Sequence, residues 1–72
     1  MITIEQISHW FTYHPPTNTE TVAKYAAVRE AGKQCALVIL ENTTSCADQT
    51  AAIRKIREAV MTANAAIACE GK

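Results

Sequence analysis

The chain carries no excess of charge of either sign: seven lysines and arginines stand against seven aspartates and glutamates. Long polyanions are held by a clustered basic surplus, so no DNA or RNA polymer is expected as a partner. A small anionic ligand needs only two or three aimed donors and is compatible with this balance. No apolar run approaches the roughly 20 residues of a membrane span, so no membrane partner is expected either. Cysteine is present in an odd number, Cys35, Cys46 and Cys69, with no signal-peptide pattern ahead of it, which argues against disulfides and for a reducing cytoplasm. There is no C-x-x-C, and His9 and His14 lie far from the cysteines in sequence, so neither a metal nor a cofactor is expected.

The chain also lacks G-x-S-x-G, a glycine-rich phosphate loop, H-E-x-x-H and paired carboxylates. Among the cysteines only Cys46 sits at a helix start, and it has no local histidine; Cys35 and Cys69 read as core or seam residues. Catalysis is therefore not expected. With 72 residues the chain is one domain, near the size at which a single core barely outweighs the entropy of ordering. With disulfide and metal set aside, self-association is the remaining source of burial.

What is present is helical pattern around one rigid elbow. Thr3-Ile4-Glu5-Gln6 has the form of a capping box, and Ile4, Ile7, Trp10 and Phe11 follow at spacings of three and four. This predicts a short amphipathic helix over about 3–11, marginal alone and in need of a surface to dock on. Tyr13-His14-Pro15-Pro16 ends it, because a residue before proline avoids the helical region. Thr17 with Glu20 forms a second capping-box pattern, and Asn18 is itself a good cap.

The second helix is expected over about 18–41, with Val22, Tyr25, Ala26, Arg29, Gly32, Cys35/Ala36 and Ile39/Leu40 on one face. Gly32 costs about 1 kcal/mol relative to alanine in mid-helix, which suggests that a neighbouring backbone passes close there. A loop follows, with Asn42 as a plausible residue just past the helix end. A third helix is expected over about 46–69, with Ala52, Ile56, Ala59/Val60, Ala63 and Ala66/Ile67 as its stripe and Ile53 beside it. Thirteen alanines, seven of them from Ala51 onward, let helices approach closely. Gly71 and Lys72 read as a frayed end. The predicted fold is all-α: a short N-terminal helix plus a long antiparallel helical hairpin, assembled as a homo-oligomer.

Three of the four aromatics, one histidine and both prolines fall between Trp10 and Pro16. Trp10 and Phe11 read mainly as anchors for the short helix. Tyr13 and His14 carry polar tips as well as rings, and beside a helix start they suit a stacked base and a phosphate. Thr17 and Thr19 add hydroxyls there. Arg54-Lys55-Ile56-Arg57-Glu58 is ordinarily a solvated strip. In an oligomer, however, symmetry would gather copies of Arg57, one step from the seam at Ile56, into an anion site.

Phe11-Thr12-Tyr13-His14-Pro15-Pro16, then Cys46-Ala47-Asp48-Gln49-Thr50-Ala51-Ala52-Ile53-Arg54-Lys55-Ile56-Arg57-Glu58-Ala59, then Met61-Thr62-Ala63-Asn64-Ala65-Ala66-Ile67-Ala68 together resemble the small bacteriophage anti-CBASS proteins. These are sponges that sequester cyclic oligonucleotide second messengers. The resemblance implies an all-α protomer in a compact homohexamer, acting in the cytoplasm of the infected bacterial host. It implies cyclic dinucleotide sites between protomers, separate cyclic trinucleotide sites near three-fold axes, and no cleavage of the ligand. It places ligand contacts at Tyr13, His14, Pro15, Thr17 and Thr19, with Thr17 where a relative carries lysine, and associates Arg57 with the trinucleotide sites. The family's N-terminal stacking aromatic has no counterpart here, where Ile2 and Ile4 precede the first helix, so either dinucleotide affinity is reduced or stacking falls to Trp10 or Tyr13. The competing expectation is a self-associating helical protein-interaction module with no nucleotide ligand.

Overall fold

A computed structural model describes residues 1–16 and 18–72. The described residues form three helices and no strand: α1 (Ile4–Trp10), α2 (Thr19–Asn42) and α3 (Ala47–Ala68). Among them no helix is long and apolar enough to cross a membrane.

The starts of α1 and α2 are written in local hydrogen bonds. Thr3 Oγ1 accepts from the Gln6 N–H at 3.1 Å, and the Thr3 N–H donates to Gln6 Oε1 at 2.8 Å, completing the capping box. At α2 the Asn18 side chain accepts from the Thr21 N–H at 2.8 Å. At α3 the N-cap is Cys46, and its side chain makes no capping bond. Sulfur is a poor acceptor where Ser, Thr, Asn or Asp would satisfy an orphan N–H. Cys46→Ser is therefore expected to stabilise the fold by about 1 kcal/mol, raising Tm by about 4–8 °C. Thermal circular dichroism at fixed protein concentration checks this, and an unchanged or lower Tm would refute it.

Helices α2 and α3 run antiparallel. Gln49, in the first turn of α3, donates from Nε2 to the Thr43 and Leu40 carbonyls at 3.2 and 3.4 Å and to Thr43 Oγ1 at 3.0 Å. Gly32, midway along α2, faces Val60 and Ile56. The α2 side of the seam is Tyr25, Ala26, Val28, Gly32, Ala36 and Ile39; the α3 side is Ala52, Ile53, Ile56, Val60, Ala63 and Ile67, all half-buried. Val28 lies inward in place of the expected Arg29. Val22, Cys35 and Leu40 are exposed, as are Ala59 and Ala66. Helix faces are about 100° wide, so sequence spacing alone leaves the rotation of α2 uncertain by one residue. The neighbour at Gly32 is not a backbone, as expected, but the Val60 side chain: a β-carbon there would run into Val60 Cγ2.

Burial within one chain is shallow. Cys69, 8 % exposed, is the one buried residue among those described. The accessible surface is 5860 Å², whereas a compact monomer of this mass exposes about 4,400 Å². The radius of gyration is 15.2 Å and the molecule is only 15 Å thick in its shortest dimension, against about 11 Å expected for the radius of gyration of a compact 72-residue domain. Ile4, Ile7, Val38, Leu40 and Met61 all stand in solvent. Inside α3, Asn64 Oδ1 is buried with no partner among the described residues, a cost of about 1–3 kcal/mol for an unmet acceptor.

The chain end is folded back rather than frayed. The Gly71 N–H bonds to the Ala66 carbonyl at 3.1 Å and the Glu70 N–H to the Ile67 carbonyl at 3.3 Å, the two bonds of a Schellman cap. Glu70 takes the left-handed position usually given to glycine (φ 55°), and Gly71 follows at φ 75°. Trp10 Nε1–H donates to the Lys72 carbonyl at 2.9 Å, tying α1 to this tail. Phe11, expected as a second anchor, is 86 % exposed. Phe11 is the C-cap residue of α1, one helical step of about 100° from Trp10, so the two rings leave the helix on different sides.

Candidate functional site

At the open end of the hairpin, opposite the 43–46 loop, the elbow closes over the helices and leaves a cleft of about 510 Å³. That lies within the range of small-molecule sites, about 300–1,000 Å³. His14 and Pro15 form the elbow wall, Thr21, Lys24 and Tyr25 the α2 wall, and Ala66 to Ala68 with Glu70 the α3 wall.

Local bonds hold the elbow. Thr12 Oγ1–H donates to the Ser8 carbonyl at 2.6 Å. His14 Nε2 lies 2.6 Å from the His9 carbonyl, and His9 Nε2 lies 3.0 Å from the Cys69 carbonyl. A carbonyl only accepts, so Nε2 carries the proton in both rings. Their centroids are 4.5 Å apart and tilted by 52°. This chain of contacts runs from α3 through α1 to His14, and it fixes one wall of the cleft.

The α2 wall follows from helical spacing. Thr21, Lys24 and Tyr25 stand at i, i+3 and i+4 and so project together. Lys24 Nζ is 3.5 Å from Glu20 Oε1 and its side chain is 60 % exposed, a contact too solvated to hold it away from another anion. Tyr25 offers a flat, half-buried face. Across the cleft, Glu70 lines the α3 wall and carries a negative charge, its Oε2 3.9 Å from Lys72 Nζ.

The residues expected from sequence are only partly gathered here. His14 and Pro15 line the cleft; Tyr13 is 81 % exposed and outside it, and Thr19 is exposed on the first turn of α2 without lining it. Thr17 lies outside the described residues. Arg57 lies elsewhere, in a hollow of about 260 Å³ with Arg54, Glu58 and Met61. Lys24, Thr21, Tyr25 and Glu70 were not singled out as site residues. The signal for the first three was present: Tyr25 read as a seam residue, and its i−1 and i−4 neighbours flank the edge of that seam.

The open end of the helical hairpin thus carries a cleft walled by Lys24, Thr21 and the rings of His14 and Tyr25. The chain belongs to the Acb2/Tad1 hairpin-domain family, whose model matches residues 3–68, the family of anti-CBASS cyclic oligonucleotide sponges. No curated protein and no solved structure matches the chain significantly.

Proposed function

We propose that this protein binds cyclic oligonucleotide second messengers and holds them intact, withdrawing them from a CBASS antiphage response in the cytoplasm of an infected bacterium. The observation that carries the reading is the cleft between elbow and hairpin in a chain of this family. Lys24 supplies a phosphate partner. The Thr19 and Glu20 N–H groups of the first turn of α2, beside the cleft, have no partner within the helix and would add donors, the Thr21 N–H being taken by Asn18. Tyr25 and His14 supply faces for a base, and Thr21 a hydroxyl.

The protomer acts as part of a homo-oligomer, a hexamer of six 7.9 kDa chains. Its surface excess and its exposed isoleucines, valines and leucines support self-association. Tyr13 and Thr19, exposed beside the cleft, are where a neighbouring copy would complete the pocket. Arg57 and Arg54 share a separate hollow, and copies of it gathered at a symmetry axis would form the cyclic trinucleotide site.

Calorimetry with a panel of cyclic di- and trinucleotides tests the reading. Tight binding is expected, with the nucleotide recovered intact after the protein is denatured. Absence of binding across the panel would refute it, and recovery of linear nucleotide would indicate an enzyme instead.

A further inference from the structure

We propose that His9, His14 and Cys69 form a metal-binding site for a borderline-soft transition ion, zinc(II) being the ion that the donor set fits. The sequence separates these residues widely; the fold brings one ligand atom of each to within 4.8 Å of the others. The three come from three different places: α1, the elbow and the C-cap of α3. Cys69 is the one buried residue among those described, and both histidines are half-buried. Cys35 and Cys46, by contrast, are exposed.

The chemistry of the trio is selective. It contains no carboxylate, so it is a poor site for magnesium or calcium; imidazole and thiolate together favour zinc or copper(I). Ligands of a tetrahedral zinc, at about 2.0–2.3 Å from the ion, stand about 3.5 Å from one another, so a trio gathered within 4.8 Å would need side-chain rotation to close on an ion. The supporting shell is already present. Metal-bound histidines typically donate their other ring N–H to a backbone carbonyl or carboxylate, which fixes tautomer and orientation. Here Nε2–H of His9 is held by the Cys69 carbonyl and Nε2–H of His14 by the His9 carbonyl. With Nε2–H so held, Nδ1 is the atom of each ring that would take the metal. Binding replaces the S–H bond of Cys69 with a metal–sulfur bond, the proton passing to solvent, and the fourth position takes a water.

Such an ion would staple α1 and the elbow to the end of α3, supplying what a chain with so little core lacks. It would also fix the His14 wall of the cleft, but binding of the ion itself needs no nucleotide and is tested without one. The full chain is titrated with zinc sulfate against a chromophoric chelator, and in parallel with cobalt sulfate. One ion per chain is expected, with a thiolate-to-cobalt charge-transfer band in the near ultraviolet. At a hundredfold excess of free zinc over its Kd, Tm is expected to rise by about 10 °C or more.

The band is expected to persist in a Cys35→Ser/Cys46→Ser double variant, where Cys69 is the sole thiol, and to vanish in Cys69→Ser. His9→Gln, which keeps an N–H for the Cys69 carbonyl, is expected to weaken zinc binding at least tenfold. Absence of binding would mean that the cluster is only a hydrogen-bonded lock and would overturn the proposal. So would a band that disappears in the double variant or survives in Cys69→Ser. Should Cys69→Ser fail to fold, the double variant alone decides: a band there supports the site, and its absence overturns it.

Discussion

Gly32→Val is expected to unfold the hairpin or come close to it, lowering Tm by 15 °C or more at fixed protein concentration. A β-carbon at Gly32 already meets Val60 Cγ2. Val60 is β-branched and largely confined to one rotamer in a helix, so it cannot swing aside cheaply. Ile56 Cγ2, at 3.8 Å from the same point, blocks a second direction. Two opposing effects act on Gly32→Ala. Alanine gains about 1 kcal/mol in helix propensity, while overpacking a tight seam costs about 1–3 kcal/mol. The balance falls on the destabilising side, but modestly. Valine keeps the clash, adds two methyl groups and forfeits most of the propensity gain, for a net loss of at least about 3 kcal/mol. A domain of this length has about 4–11 kcal/mol in total. Thermal or urea unfolding measures the loss. Val60→Ala should rescue Gly32→Ala, with a favourable coupling of about 1 kcal/mol or more in the double-mutant cycle. A Gly32→Ala protein more stable than the parent would mean that the helices stand further apart than described.

Gly32 marks how far sequence carries. Its cost in mid-helix pointed to a close backbone, and the fold puts the Val60 side chain there instead. Helices were legible because their signals are local: Thr3 with Gln6, Asn18 with Thr21, and apolar residues three and four apart. The inward face of α2 was legible only approximately. Arg29 and Val28 differ by one step of about 100°, and which one points inward depends on how α3 is rotated against it. Tyr25 shows the same limit. Its spacing placed it on the seam, while its position at the open end of the hairpin also puts it on the lining of the cleft.

Contacts between distant residues were not legible. Trp10 with Lys72 spans 62 residues and His9 with Cys69 spans 60; no periodicity encodes such pairings. The distance in sequence between the histidines and the cysteines argued against a metal, and the folded-back end of α3 removes that argument. The candidate site was half legible for the same reason. The elbow concentrates unusual residues and drew attention to His14 and Pro15, which do line the cleft. Its other wall is built from residues that look ordinary in a helix. Lys24 reads as a solvated lysine paired with Glu20 one turn earlier, until the elbow is laid across it.

Lys24 therefore carries the sharpest test of the cleft. Lys24→Glu is expected to weaken cyclic nucleotide binding by a hundredfold or more. A charge-assisted hydrogen bond to phosphate contributes about 1.5–3 kcal/mol, so its removal in Lys24→Ala costs about tenfold to a hundredfold; reversing the sign adds repulsion. Glu70→Gln should act in the opposite direction, strengthening binding about two- to fivefold by removing a like charge from the facing wall, with an effect that shrinks as salt is raised. Lys33→Glu is the control. It changes net charge as Lys24→Glu does but lies more than two helical turns further along α2, outside the cleft, and should leave affinity unchanged. The Lys24–Glu20 contact is exposed, so the fold should survive both Lys24 variants, which circular dichroism checks before titration. Undiminished binding in Lys24→Glu would move the nucleotide out of this cleft. Equal losses in Lys24→Glu and Lys33→Glu would reduce the effect to net charge. A selective loss at Lys24 with a gain at Glu70→Gln would place the phosphates between the first turns of α2 and the cap of α3.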